Sequence, residues 1–412
     1  MQRFLTGHAT HPDWRVALAL AAAQIEAQRH DGAAGQTPTP TLGWLYYSDR
    51  YAREAEALLA DVARRWPGVD WVGASGIGVA ASGVEYFDEP ALTLLLADVP
   101  RAAFRVFSGA APLRQFDALC ANVHADPATT DLAELIQDMS GRTASGYLFG
   151  GLASGRAGAS HLANGVLSGG LSGVAFGAGV EVVSRVTQGC QPVGPLREIT
   201  EAEGNVVLRL DGEPALACLL RDLQAEGSDL RAALPRLRET LVGLSDPSDL
   251  LSDGFSGVLR RGAFGSETRV RHLIGLDTAR RGIAIADVAE PGMRLAFCSR
   301  NAQAARRDLM RICAEIREET EPETLPLATA EALKSSGPAD TAPPPQGIAG
   351  AIYVSCAGRG GPHFGAPSAE LAIVRHALGD VPLAGFFAAG EIARHHVYGY
   401  TGVLTVFRTA AA

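Results

Sequence analysis

Apolar and polar positions recur along the chain in two rhythms. Ala55, Leu58, Leu59, Val62 and Trp66 fall at helical spacing, and Pro67-Gly68 stops that run. Ala305, Leu309, Ile312 and Ile316 mark a longer amphipathic helix over 301–318, and Leu132, Leu135, Ile136 and Met139 mark another. Asp13 opens a helix that carries Trp14, Leu18 and Ile25. The spacing also predicts helices over 214–224 and 230–241, the second weakened by Pro235. Between them lie short apolar runs bounded by turns: 42–48 (LGWLYYS), 69–74, 91–96 (ALTLLL), 270–276, 283–287 and 293–297, with Gly-rich strands at 146–152 and 165–184. Strands and helices mixed in this way predict an α/β (α+β) chain.

One pattern occurs twice. Gly43-Trp44-Leu45-Tyr46-Tyr47-Ser48 can be set against Gly350-Ala351-Ile352-Tyr353-Val354-Ser355. An amphipathic helix follows each (53–66; 368–378), then a short strand ending in a Gly turn (73–78; 385–390), then a closing apolar strand (91–96; 402–407). This predicts duplicated β-α-β-β units whose copies pack together in mixed, Gly-rich sheets, with the two turns near one another. Between 319 and 347 the composition changes to proline, acidic and small residues, including Pro343-Pro344-Pro345, which reads as a linker or loop.

Composition narrows the functions. The 412 residues carry a net charge of −9, which gives no basic footprint for nucleic acid. Lys334 is the single lysine, so no Gly-rich loop ends in the Lys-Ser/Thr of a P-loop. Six cysteines without a Cys-x-x-Cys pair suit free thiols in the cytoplasm and argue against a zinc ribbon. Residues 157–180 contain no Asp, Glu or Lys, and no Arg. Their Gly and Ser content, His161 and Asn164 read as buried strand-turn-strand, not as a membrane insertion.

Four stretches could carry chemistry. Gly73, Gly76 and Gly78 follow a strand and permit close backbone approach to a ligand, or form a plain turn. Cys190 and Gln191 lie in a proline-stiffened loop, where the thiol is a ligand contact or a quiet core residue. Cys356, Gly358, Arg359 and Gly360 join a thiol, flexible amides and a guanidinium fork suited to a carboxylate or phosphate. Glu391 follows a Gly turn and can hold an amine or pair with Arg359. Together these ten residues predict a ligand pocket between two halves of the chain, in which Arg359 grips a carboxylate and Glu391 an ammonium. His395-His396 make a poor chelating pair, and no metal set is assigned. Cys356 with a histidine and Glu391 would make a Cys/His/acid enzyme, but no recognisable nucleophile–base motif accompanies them, and no catalytic residue is assigned.

At these residues the chain resembles the FIST family, the sensory region of bacterial signalling proteins. The resemblance rests on VDWVGASGIGV (69–79), SGYLFGGLAS (145–154), the run 186–216, SCAGRG (355–360) and GFFAAGEI (385–392). It implies an N-terminal half over 1–225 and a C-terminal half over 226–412. It also implies a small-molecule ligand, such as an amino acid or related metabolite, and signalling in trans to a separate kinase or other output protein. Some members carry haem and sense nitric oxide, so the resemblance leaves haem open as a cofactor. The first Gly turn has Val79 where the second has Glu391.

Overall fold

A computed structural model describes residues 3–30, 39–156, 158–225, 236–237, 239–246, 268–320 and 347–409. The expected linker at 319–347 lies almost wholly outside these, as does most of the helix expected over 230–241. The end of that helix is instead a strand, Thr240–Ser245, whose residues Thr240 and Leu241 pair with Ser299 and Cys298. The described residues group into two units. Unit one comprises 1–187, 306–397 and 401–412, and unit two comprises 188–305 and 398–400. The halves expected to meet at 225/226 follow sequence order, whereas the compact units interleave.

The repeated β-α-β-β motif is present three times in unit one, not twice. In the first repeat, Leu42–Ser48 leads through the helix Ala55–Arg65 to Asp70–Gly76, which pairs parallel to it, and Ala91–Ala97 returns antiparallel. In the third, Ile348–Cys356, the helix Ala369–Leu378, Leu383–Ala388 and Thr401–Arg408 do the same. The second repeat, unseen in the sequence, uses Cys120–Ala125, Leu132–Gly141, Tyr147–Leu152 and Leu171–Phe176.

The repeats exchange strands in a closed cycle. After its turn, the first repeat sends Gly78–Ala81 to pair with Leu383–Ala388 of the third. The third sends Gly390–Ala393 to Tyr147–Leu152 of the second, and the second sends His161–Ala163 to Asp70–Gly76 of the first. Three six-stranded sheets of equivalent order result. Ser154 ties the turns together: its Oγ accepts from Ile77 N at 2.8 Å and donates to Phe387 O at 2.6 Å. The packed, mixed, Gly-rich sheets expected from the sequence are thus found, with a third member.

The same register recurs in each repeat: Leu45 faces Gly73, Val123 faces Gly150 and Tyr353 faces Gly385. A Cβ at any of these glycines would collide with the backbone carbonyl of the residue it faces, and Gly73 and Gly150 hold φ of +151° and +146°. Sheet geometry alone requires glycine at the Gly73 position.

Where the repeats meet, polar groups are buried in pairs. Trp44 Nε1 donates to Asn122 Oδ1 at 3.0 Å, and Tyr46 Oη lies 3.1 Å from His124 Nε2. Phe386 stacks on Tyr46 with ring centroids 5.0 Å apart. Burial pushes the His124 imidazole down to about 3, so it is neutral at physiological pH.

Unit two is an antiparallel β-barrel. Its strands Arg197–Glu203, Val206–Leu210, Gly282–Ile285, Arg269–Asp277, Thr240–Ser245 and Arg294–Arg300 pair in that order and close on themselves. Ile199, Val207, Val242 and Phe297 fill its core together with Leu216 and Leu219 of the helix Ala215–Asp222. Arg197 makes two 2.7 Å bonds to Asp222 across the base of that helix. The barrel is inserted in the third repeat, between the strand Val182–Gln188 and the helix Ala302–Thr320.

Candidate functional site

Strand ends in the third repeat gather the chemistry. Ile348–Cys356 is buried along its length because sheets of this kind are covered on both faces. Its last residues, Tyr353, Ser355 and Cys356, therefore bring polar groups into a closed environment. The chain then turns, with Arg359 N donating to Cys356 O at 2.8 Å, and folds the Arg359 side chain back inside, where it is 1 % exposed.

Arg359 is fully engaged there. Its Nε and Nη2 donate to Glu370 Oε1 at 2.9 and 2.6 Å, and Nη1 donates to the carbonyl of Thr187 at 3.3 Å. The guanidinium stacks over the Phe364 ring at 5.1 Å. Glu370, on the first turn of the helix Ala369–Leu378, also accepts from Tyr353 Oη at 2.6 Å and from Ser355 Oγ at 3.0 Å. A second carboxylate crosses from the first repeat: Glu85 Oε1 accepts from the backbone N–H groups of Glu370 and Leu371 at 2.9 and 3.1 Å. Burial, then the nearby Glu370 charge, push Glu85 up to about 7.

Glu391 is buried in the same unit but is not the arginine's ion-pair partner. Its Oε2 accepts from Thr401 N at 3.1 Å and from Thr401 Oγ1 at 2.6 Å. Its Oε1 has no hydrogen-bond partner meeting normal geometry, although the Cys356 thiol is close enough to lower the carboxyl's pKa. Burial outweighs these neighbours and Arg359, and pushes Glu391 up to about 8. At neutral pH this is an uncharged acid that can donate a proton or surrender it to a base.

The three repeats allow an internal comparison. Strand register places Ser48 and Asp126 where the third repeat has Cys356, and Val79 and His161 where it has Glu391. Ala91 and Gly170 stand in for Thr401. Only the third repeat combines a thiol, a hydroxyl and a carboxyl at these strand ends.

The structure brings Cys356, Arg359 and Glu391 into one unit with Gly73, Gly76, Gly78, Gly358 and Gly360. Cys190 and Gln191 belong to unit two, on the short strand Cys190–Pro192. Gly76 packs against Phe386 and Phe387, Gly78 against the Tyr86 carbonyl, and Gly360 against the Phe87 ring. Glu370, Glu85, Tyr353, Ser355 and Thr401 were not foreseen. An acidic residue at a helix start is an ordinary dipole partner, so the sequence offered no reason to single out Glu370.

The buried histidines of unit one do not fit haem ligation. Both ring nitrogens of His161 are in hydrogen-bond contact, with Ser172 Oγ at 2.6 Å and the Gly169 carbonyl at 3.1 Å. His124 is enclosed by Tyr46 and Phe386. Among the described residues no three His, Cys, Asp or Glu side chains gather as a metal site, and no helix is long and apolar enough to cross a membrane.

Residues 41–213 match the family model of the FIST N domain, and residues 215–394 match that of the FIST C domain. An uncharacterized protein of Mycobacterium tuberculosis is 31% identical over 433 residues, covering 98% of this chain and 99% of that protein. An uncharacterized protein of Mycobacterium bovis is 29% identical over 423 residues, covering 98% of each.

Proposed function

The chain belongs to the FIST family, whose domains are sensory domains of signal transduction, and on that premise we propose that it senses a small zwitterionic metabolite. An amino acid or close relative is the ligand class, and the signal passes in trans to a separate output protein in the cytoplasm. The observation that carries this reading is Glu391: a buried, uncharged acid at a strand end, with one oxygen held by Thr401 and the other without a geometric hydrogen bond. A ligand ammonium would ionise Glu391 and donate to the oxygen that the Cys356 thiol approaches. Its carboxylate would lie toward the amides of Gly358 and Gly360, because the guanidinium of Arg359 is already committed to Glu370. Arg359 acts on this reading as a fixed positive charge that favours the ionised form of Glu391.

On this reading the site lies within unit one, and Cys356 lines it as a contact beside Glu391 and not as a nucleophile. Purified protein is accordingly expected to show no Soret band, and a Soret band would replace this reading with a haem sensor.

The test is a thermal-shift screen of the common amino acids and their decarboxylated and acylated relatives. At least one is expected to raise the melting temperature of the wild type. Glu391→Gln is expected to weaken that ligand by about 1.5–3 kcal/mol, the scale of a charged hydrogen bond, while the free variant unfolds close to wild type. A ligand whose affinity ignores Glu391→Gln would rule out this site.

A further inference from the structure

Unit two holds three thiols that the proposed site does not use, Cys190, Cys218 and Cys298, and the first and last lie together. Cys190 lies on the strand Cys190–Pro192, which pairs antiparallel with Arg294–Arg300 so that Pro192 faces Cys298 and Cys190 faces Arg300. Residues that face each other in a ladder share a side of the sheet, so Cys190 and Cys298 are diagonal neighbours on one face. Leu295 and Phe297 point into the barrel core, and Cys298 therefore points outward. There the two thiols form a small cluster with Leu241, Val270 and Tyr400. The neighbouring Cys190 thiol and burial hold the Cys298 thiol well above its usual range. Both are reduced, and both are shielded, at 4 % and 0 % exposed.

We propose that Cys190 and Cys298 are a covalent modification site that closes to an intrachain disulfide on exposure to a small-molecule disulfide. The strand that carries Cys190 has three residues and pairs only with Arg294–Arg300 among the described strands. Such a segment opens locally at far lower cost than the closed barrel, which gives the oxidant access and lets the diagonal pair approach bonding distance. Cys190 rides on the short strand that opens and Cys298 on the closed barrel wall, so Cys190 meets the oxidant and attacks first. Its thiolate displaces one thiol from the oxidant to leave a mixed disulfide. Cys298 then loses its proton, attacks the Cys190 sulfur and expels the second thiol. Two protein thiols and one small disulfide become one protein disulfide and two small thiols. Bond formation pins the short strand to the barrel wall and removes the opening that admitted the oxidant.

The experiment treats native full-length protein with excess oxidised glutathione, alkylates the remaining thiols under denaturing conditions and measures intact mass and linked peptides. The expected result is four alkylated cysteines out of six, with a single cross-link joining the peptides of Cys190 and Cys298. The same cross-link should form when Cys120, Cys218, Cys313 and Cys356 are all replaced by serine. Six alkylated thiols, a stable glutathione adduct without the cross-link, or a cross-link through any other pair would overturn the proposal. Because the wild-type peptide map alone decides, a variant that fails to fold does not spoil the test.

Discussion

Glu370→Ala is expected to lower folding stability by about 3–5 kcal/mol, since it strands the Arg359 charge in the interior. Arg359 is 1 % exposed, and Glu370 receives two of its three donating nitrogens. The Thr187 carbonyl and the Phe364 ring cannot neutralise the charge that remains. Denaturant unfolding monitored by tryptophan fluorescence would measure the loss. Adding Arg359→Met to Glu370→Ala should recover much of it, because an apolar side chain of similar length removes the unpaired charge. A Glu370→Ala protein within about 0.5 kcal/mol of wild type would mean that the buried pair is not what closes the loop after Cys356.

The second large effect tests the threefold architecture. Gly150→Ala is expected to cost about 4 kcal/mol or to prevent folding, because its Cβ would enter the Val123 carbonyl at φ +146°. Gly73→Ala should behave alike, since it faces Leu45 in the same register with φ +151°. Gly109→Ala is the control, as nothing lies within 4 Å of the Cβ it would add. Circular dichroism and soluble yield would separate the cases. A soluble Gly150→Ala variant with wild-type unfolding would remove the second repeat from the set of equivalents.

Two of the three repeats were legible because their leading strands, Leu42–Ser48 and Ile348–Cys356, are near-continuous apolar runs. The second hides for a physical reason. Its leading strand, CANVHA, carries Asn122 and His124 at core positions, and only the fold supplies Trp44 and Tyr46 to satisfy them. Its crossing strand is three residues, His161–Ala163, inside a Gly-rich stretch that reads as buried strand-turn-strand but gives no sign of which sheet it joins. Two strands of the barrel, Arg197–Glu203 and its hairpin partner Val206–Leu210, were equally hard to see, since the first alternates buried Arg197 and Ile199 with exposed glutamates.

The site was half legible. Cys356, Arg359 and Glu391 stand out as polar residues beside glycine turns, and the structure gathers them in one unit. The pairing was not legible. Arg359 turns back toward a helix eleven residues later, and Glu391 is held by a threonine ten residues later, on the return strand. Neither contact follows a local periodicity. Glu85 comes from another repeat altogether, which no spacing rule can anticipate.

The central claim is that an ammonium ligand converts Glu391 from acid to carboxylate, and proton linkage tests it directly. With its carboxyl raised to about 8, free Glu391 holds a proton at pH 7, and binding an ammonium lowers that pKa. Binding must then release protons, and affinity must rise as pH climbs from 6 through 8. Titration calorimetry of the best amino-acid ligand at pH 7, in buffers of differing ionisation enthalpy, should show release of close to one proton by the wild type and almost none by Glu391→Gln. Proton uptake, no release, or equal release by both proteins would contradict the account.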